Sequence, residues 1–145
     1  MQKLKVHVDN DSCDVPARAT DGSAGYDLCL KHSVRLEPNK SEMCHTGVHV
    51  EIPRGYVGLV FVRSSIGTRY HVVLSNGTGV IDSDYRGEVM VPLLNLGSDS
   101  VVFASGNRVA QLVVVPALMA DVELVEADGL TETERGFGGF GSTGE

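Results

Sequence analysis

Residues 44 to 62 read CHTGVHVEIPRGYVGLVFV. Two short runs rich in β-branched residues, Cys44–Glu51 and Val57–Val62, flank the breaker Ile52-Pro53-Arg54-Gly55. Runs of this length and composition, cut by Pro and Gly, predict strands. The same pattern extends outward in both directions. It predicts further strands at Leu4–Val8, Gly25–Leu30, Ser33–Leu36, Val72–Leu74, Val89–Leu94, Val101–Phe103, Ala110–Pro116 and Asp121–Leu124. Turn chemistry separates them at Glu37-Pro38-Asn39, Ser75-Asn76-Gly77, Asn95-Leu96-Gly97-Ser98 and Ala104-Ser105-Gly106-Asn107. Only Ser64–Tyr70 predicts a helical turn. Strands this short and this closely spaced make an all-β sandwich, jelly roll or distorted barrel.

The chain has 145 residues, enough for one domain with a real core. Hydrophobic residues are 42% and charged residues 21%, a globular balance. A formal net charge of -7 argues against general affinity for nucleic acid or anionic membrane. An anionic ligand must therefore be held by a few local cations. Cys13, Cys29 and Cys44 are an odd number at long spacing, which fits a reducing compartment better than a disulfide framework or zinc site. No run reaches the length of a membrane span. The opening MQKLKVHVDNDS alternates like a strand, not a signal peptide. A soluble intracellular location, cytoplasmic by default, is expected. The expected organisation is a compact body over residues 1–131 and a Gly-rich arm over 132–145.

Five stretches carry chemistry. The arm ends ERGFGGFGSTGE (residues 134 to 145), too rich in glycine to hold a strand or helix alone. Its bland reading is a disordered terminus. Such termini are depleted in aromatics, yet this one holds Phe137 and Phe140. An arm closing over a ligand would use them. Its backbone N–H groups and Arg135 suit phosphate oxygens, and a Phe ring stacks on a planar base. VRSSIGTRY (62 to 70) puts Arg63, Ser64, Ser65 and Gly67 at a strand-to-turn junction, which suits an anion. It reads equally as a short helix capped by Ser64 or Ser65. LSNGTGVIDSDYRGEV (74 to 89) joins a hairpin signal, Asn76-Gly77, to Asp82, Asp84 and Glu88. One carboxylate there could be a general base or help position a metal, or the segment could be an ordinary Asx turn. AGYDLCL (24 to 30) sets Asp27 in an apolar strand, where it needs a partner. GNRVAQLVVVP (106 to 116) supplies Arg108, a candidate for that partner, and Gln111. The five histidines show no ligand spacing and read as structural or solvent-facing.

Taken in order, AGYDL, RSSIG, GVIDSDYRGEV, GNRVAQL and RGFGGFGSTG resemble the five motifs of the homotrimeric deoxyuridine triphosphatase (dUTPase) family. The likeness runs from about residue 17 to residue 144. It implies a jelly-roll-like fold, a homotrimer with active sites at subunit interfaces, and dUTP as substrate. The implied reaction is Mg²⁺-assisted attack of water on the α-phosphorus, giving dUMP and pyrophosphate. That activity limits uracil in DNA and supplies dUMP for dTMP synthesis. Asp82 is then the base that activates water. Tyr85 lines the deoxyribose pocket and disfavours a 2′-hydroxyl. Asn76 reads uracil with backbone groups of the same hairpin, at Gly79 and Ile81. Arg63, Ser64, Ser65 and Gly67 serve the phosphates, and Gln111 the α-phosphate. Asp27 is structural or orders the water shell of Mg²⁺, with Arg108 beside it; the metal has no direct protein ligand. In the arm, Arg135, Gly141, Ser142 and Thr143 hold the γ-phosphate end, and Phe140 stacks over uracil. Three places depart from the family pattern: Phe137 stands where a small residue is common, Ile66-Gly67 where Leu-Ala or Leu-Gly is common, and His71 where Gly is common.

Two rival readings share the fold. A deoxycytidine triphosphate deaminase also carries Arg-Ser-Ser, but needs a general acid/base at the pyrimidine, for which only Glu88 is near. A non-catalytic regulator of the dUTPase type would not require Asp82, Ser64 and the arm together.

Overall fold

Alternation along a strand sends half its side chains inward, and register decides which half. In this computed structural model, which describes residues 3–10 and 14–139, strand β11 (Arg108–Pro116) lies between β2 (Gly25–Cys29) and β6 (Tyr56–Val62). Ala110 and Leu112 of β11 are buried in the core with Leu28 and Val60. Gln111, between them, pairs with Asp27 on one side and Phe61 on the other. Those three therefore share the outer face of the sheet. One strand alternation thus supplies both core and polar site.

The edge strand β8 (Gly79–Ile81) pairs with β6 and completes a four-stranded sheet. Gly58 is required there: a β-carbon on it would lie 2.6 Å from Ile52 Cδ1 and 2.9 Å from Leu112 Cδ1. A second sheet runs β4 (Ser41–Cys44), β9 (Val91–Asn95), β7 (Val72–Leu74). Two ribbons complete the body, β1 (Lys5–Val8) with β5 (Val48–Glu51) and β3 (Val34–Leu36) with β10 (Val101–Phe103). Every pairing is antiparallel. All four sheets feed one apolar cluster that includes Leu112, Leu93, Val50 and Leu36. Burial of each such side chain contributes about 1.5–3 kcal/mol. The result is an all-β, jelly-roll-like body. Among the described residues no helix is long and apolar enough to cross a membrane.

Several elements differ from the expectation. The run Cys44–Glu51 is two strands, because residues 45–47 cross from one sheet to a ribbon and Gly47 takes φ 67°. Asn76-Gly77 is a turn, but not a hairpin: β7 pairs with β9 and β8 with β6, so the turn carries the chain between sheets. Asp121–Leu124 is not a strand. Val122 and Leu124 are 98% and 97% exposed, and among the described residues no sheet edge receives them.

The predicted helical turn is α1, Ser64–Tyr70, anchored by buried Ile66. It ends at His71, whose φ of 54° and ψ of 30° are left-handed. Its N–H donates to Gly67 O at 3.1 Å, so the turn forms despite the β-carbon. That conformation costs a non-glycine residue about 1–2 kcal/mol, part of which glycine's looser unfolded state would offset. His71→Gly is expected to stabilise the protein by ~1 kcal/mol. Urea unfolding checks this; an unchanged midpoint would mean the exposed imidazole compensates for its backbone.

Candidate active site

Strand β8 leads out of the large sheet into a cleft of ≈ 280 Å³ lined by Asn76, Gly79, Ile81, Asp82, Tyr85 and Glu88, among others. The segment after β8 turns sharply: the Tyr85 N–H donates to Asp82 O at 3.1 Å. The Asp82 side chain lies at the surface. Tyr85 folds back so that its Oη donates to Glu88 O at 2.9 Å. Gly87 lies directly against the ring; a β-carbon there would be 2.3 Å from Oη. Asn76 reaches the same cleft from the preceding turn, where Gly77 N–H donates to Leu74 O at 3.0 Å with φ at 74°.

Glu88 closes this segment on the other side. Its Oε1 accepts from the N–H groups of Thr46 and Gly47 at 2.9 and 2.7 Å, and its Oε2 meets His45 Nδ1 at 2.8 Å. Burial opposes its ionisation, but the His45 contact and the two backbone donors outweigh burial and hold the carboxyl below its usual range. Sequence reasoning did not foresee this clamp. No local spacing relates Glu88 to a loop 42 positions away. The only local trace is Gly87, the glycine that lets Tyr85 lie back.

A second cleft, of ≈ 340 Å³, is lined by Gly25, Asp27, Arg63, Ser64 and Gln111, among others. Asp27 Oδ1 faces Arg63 Nε at 3.1 Å, and Oδ2 accepts from Arg108 Nη1 at 3.3 Å. The Asp in the apolar strand thus has two cationic partners. Gln111 packs on Gly25, where a β-carbon would come 2.3 Å from Oε1. Ser64 and Ser65 do not cap α1. The N-cap is Arg63, with no side-chain capping bond, because the helix begins one residue earlier than a serine cap requires. Gly67 lies within α1 and is not among the residues lining this cleft; outside the helix's own backbone, its β-carbon position has no neighbour closer than 3.9 Å.

The two clefts do not meet within one chain. Gly58 pairs with Ile81, so antiparallel register sets Asp82 opposite Val57, while Arg63 and Ser64 leave the other end of β6. From residue 57 to residue 64, at about 3.3 Å per step, is roughly 23 Å. A base, a water and a phosphate with its ligand make three contacts of about 3 Å, some 9 Å in all. Asp82 and Ser64 of the same copy cannot serve one phosphate.

Residues 118–137 are all exposed, including Leu118, Val122, Leu124 and Leu130. Arg135 Nε donates to Gly138 O at 2.9 Å within the arm, and residues 132–139 line neither cleft. Phe140, Gly141, Ser142 and Thr143 lie outside the described residues. Cys29 and Cys44 are buried. Among the described residues no group of three or more His, Cys, Asp or Glu side chains is arranged to hold a metal ion.

Residues 11–144 match the family model for dUTPase. A deoxyuridine 5′-triphosphate nucleotidohydrolase from Anaeromyxobacter sp. (strain Fw109-5) is 47% identical over 131 residues, 90% of this chain and 88% of that protein. In three dimensions the chain resembles the dUTPase of Staphylococcus bacteriophage 80alpha, solved with dUPNHPP. The TM-score is 0.91 at 30% identity, over 100% of both chains. It also resembles the D95N mutant dUTPase of phage phi11 of S. aureus, whose structure concerns coordination of a structural Mg(II) ion. There the TM-score is 0.79 at 28% identity, covering 86% of this chain and 97% of that one. With motif order, fold and relatives in agreement, the chain belongs to the dUTPase family.

Proposed function

We propose that this chain is a dUTP diphosphatase, hydrolysing dUTP to dUMP and pyrophosphate. The observation that carries this is the first cleft, where a carboxylate, a tyrosine ring and the 76–81 backbone border one small volume. Asp82 takes a proton from water as it attacks the α-phosphorus. Asn76 and the backbone of Gly79 and Ile81 read the uracil edge; cytosine would leave buried polar groups unpaired. Tyr85 stands against the sugar, where a 2′-hydroxyl is disfavoured. Arg63, Ser64, Ser65, Gly67 and Gln111 bind the phosphates, and Asp27 with Arg108 holds Arg63 in place. Arg135, Phe140, Gly141, Ser142 and Thr143 close over the nucleotide.

The ion of this reaction is Mg²⁺, which would be carried by the triphosphate and water rather than by a protein ligand set. It supplies charge cancellation at the phosphates. Both Asp27 oxygens already face a guanidinium, which favours its structural role over ordering the ion's water.

We further assign the body to residues 1–131 and the closing arm to 132–145, in a homotrimer with sites between copies. The roughly 23 Å between Asp82 and Ser64 supports shared sites, since strand register holds them apart in one copy. The exposed apolar side chains between Leu118 and Leu130 support a covering neighbour. Three cysteines, odd in number and widely spaced in the sequence, agree with a reducing, cytoplasmic setting. The deaminase reading loses its acid/base, because Glu88 is engaged by the 45–47 loop.

The test is pyrophosphate release from each deoxynucleoside triphosphate with Mg²⁺. Release from dUTP is expected to exceed that from dCTP by about 10⁴-fold, the discrimination available to a site that hydrogen-bonds its substrate. Preference for another base, or ammonia from dCTP, would overturn the assignment.

A further inference from the structure

None of residues 82–88 is buried, so this segment is not set by core packing. Its fixed points are polar. Val89 N–H donates to Val48 O at 2.7 Å, which anchors the residue after the segment. Thr46, itself buried, donates its hydroxyl to Val89 O at 2.6 Å. Upstream of Val89, the Glu88 carboxylate gathers two backbone N–H groups on Oε1 and His45 on Oε2. The Glu88 carbonyl, in turn, receives the Tyr85 hydroxyl. Gly87 leaves the space in which that ring lies.

We infer that Glu88 is a positioning residue for sugar discrimination: its carboxylate ties the 82–88 turn to the 45–47 loop and thereby fixes the Tyr85 ring. This rests on the proposed role of Tyr85 at the deoxyribose. The segment's other ties are the His49–Glu88 bridge and the His49 Nδ1 contact with Arg86 O at 3.0 Å, and neither reaches Tyr85. Without the carboxylate the turn loses its hold on the 45–47 loop and can pivot about these backbone ties. The ring then no longer forms a fixed wall, and a ribose gains room. His45 adds a contact from the solvent side, but the two N–H groups from the buried loop set the direction of the carboxylate.

The experiment compares kcat/KM for dUTP and UTP in the wild-type chain, Glu88→Ala and Glu88→Gln, with thermal melts of each. Gln keeps an oxygen for both N–H donors, so E88Q is expected to hold the dUTP/UTP ratio within about twofold of wild type. E88A is expected to lower it about tenfold, since a shape-defined pocket discriminates by only about 10- to 200-fold and loses that when its wall loosens. A general loss of stability would lower both rates and leave the ratio alone. A folded E88A with an unchanged ratio overturns the inference, as does an E88Q indistinguishable from E88A. Should E88A not fold, Glu88→Asp keeps the charge and withdraws the acceptor by one methylene. A lowered ratio then supports the inference and an unchanged one overturns it. A wild-type chain that hydrolyses neither nucleotide takes down the function and this inference together. A dUTP-selective wild type with an unmoved E88A takes down this inference alone.

Discussion

Asp82→Asn should abolish almost all turnover while leaving dUTP binding within a few-fold of wild type. The substitution preserves size and the capacity to accept one hydrogen bond, but an amide cannot take the proton from an attacking water. General-base catalysis contributes about 10²–10⁴-fold, so kcat is expected to fall by roughly 10³. The fold should be indifferent, because Asp82 is exposed and its carbonyl, not its side chain, closes the turn with Tyr85. Pyrophosphate release at saturating dUTP gives kcat, and calorimetric titration with a non-hydrolysable analogue gives affinity. Activity within tenfold of wild type would remove Asp82 from the proton transfer. Loss of binding with loss of turnover would instead make it a substrate ligand.

Deleting residues 133–145 should leave a folded body with catalysis reduced by about 10²–10³. A single preorganised donor at developing charge is worth about that much, and the arm brings a guanidinium, hydroxyls and an aromatic face together. Closing over the substrate also excludes water, which strengthens the remaining contacts. Stability should hardly change. Residues 133–137 are exposed, Phe137 fully so, and the apolar cluster draws nothing from them. Thermal unfolding and single-turnover hydrolysis separate the outcomes. A truncated chain that unfolds would make the arm part of the core, and one that retains full activity would leave it without a role in the reaction.

The fold class was legible because its signals are local. Val57–Val62 announces a strand by composition, and Pro53 and Gly55 announce the turn before it. Boundaries failed where local signals agree on either side of a tertiary event. The apolar alternation of Cys44–Glu51 continues through Thr46-Gly47, so only the crossing between sheets divides it. Asp121–Leu124 has the pattern of a strand, yet a strand needs an edge to pair with, and among the described residues none receives it. Asn76-Gly77 is a correct turn signal that does not specify which strands flank it or with whom they pair.

The chain by itself determined an all-β body, the identity of the chemical groups and the order of the motifs. Each of these follows from residue type and near-neighbour spacing. Only the tertiary structure decided that Asp82 and Ser64 stand at opposite ends of β6, that Asp27 is shared by Arg63 and Arg108, and that Glu88 grips the 45–47 loop. Those relations join residues as far apart as 81 positions. They depend on strand register, which is settled by the packing of whole faces rather than by any stretch read alone.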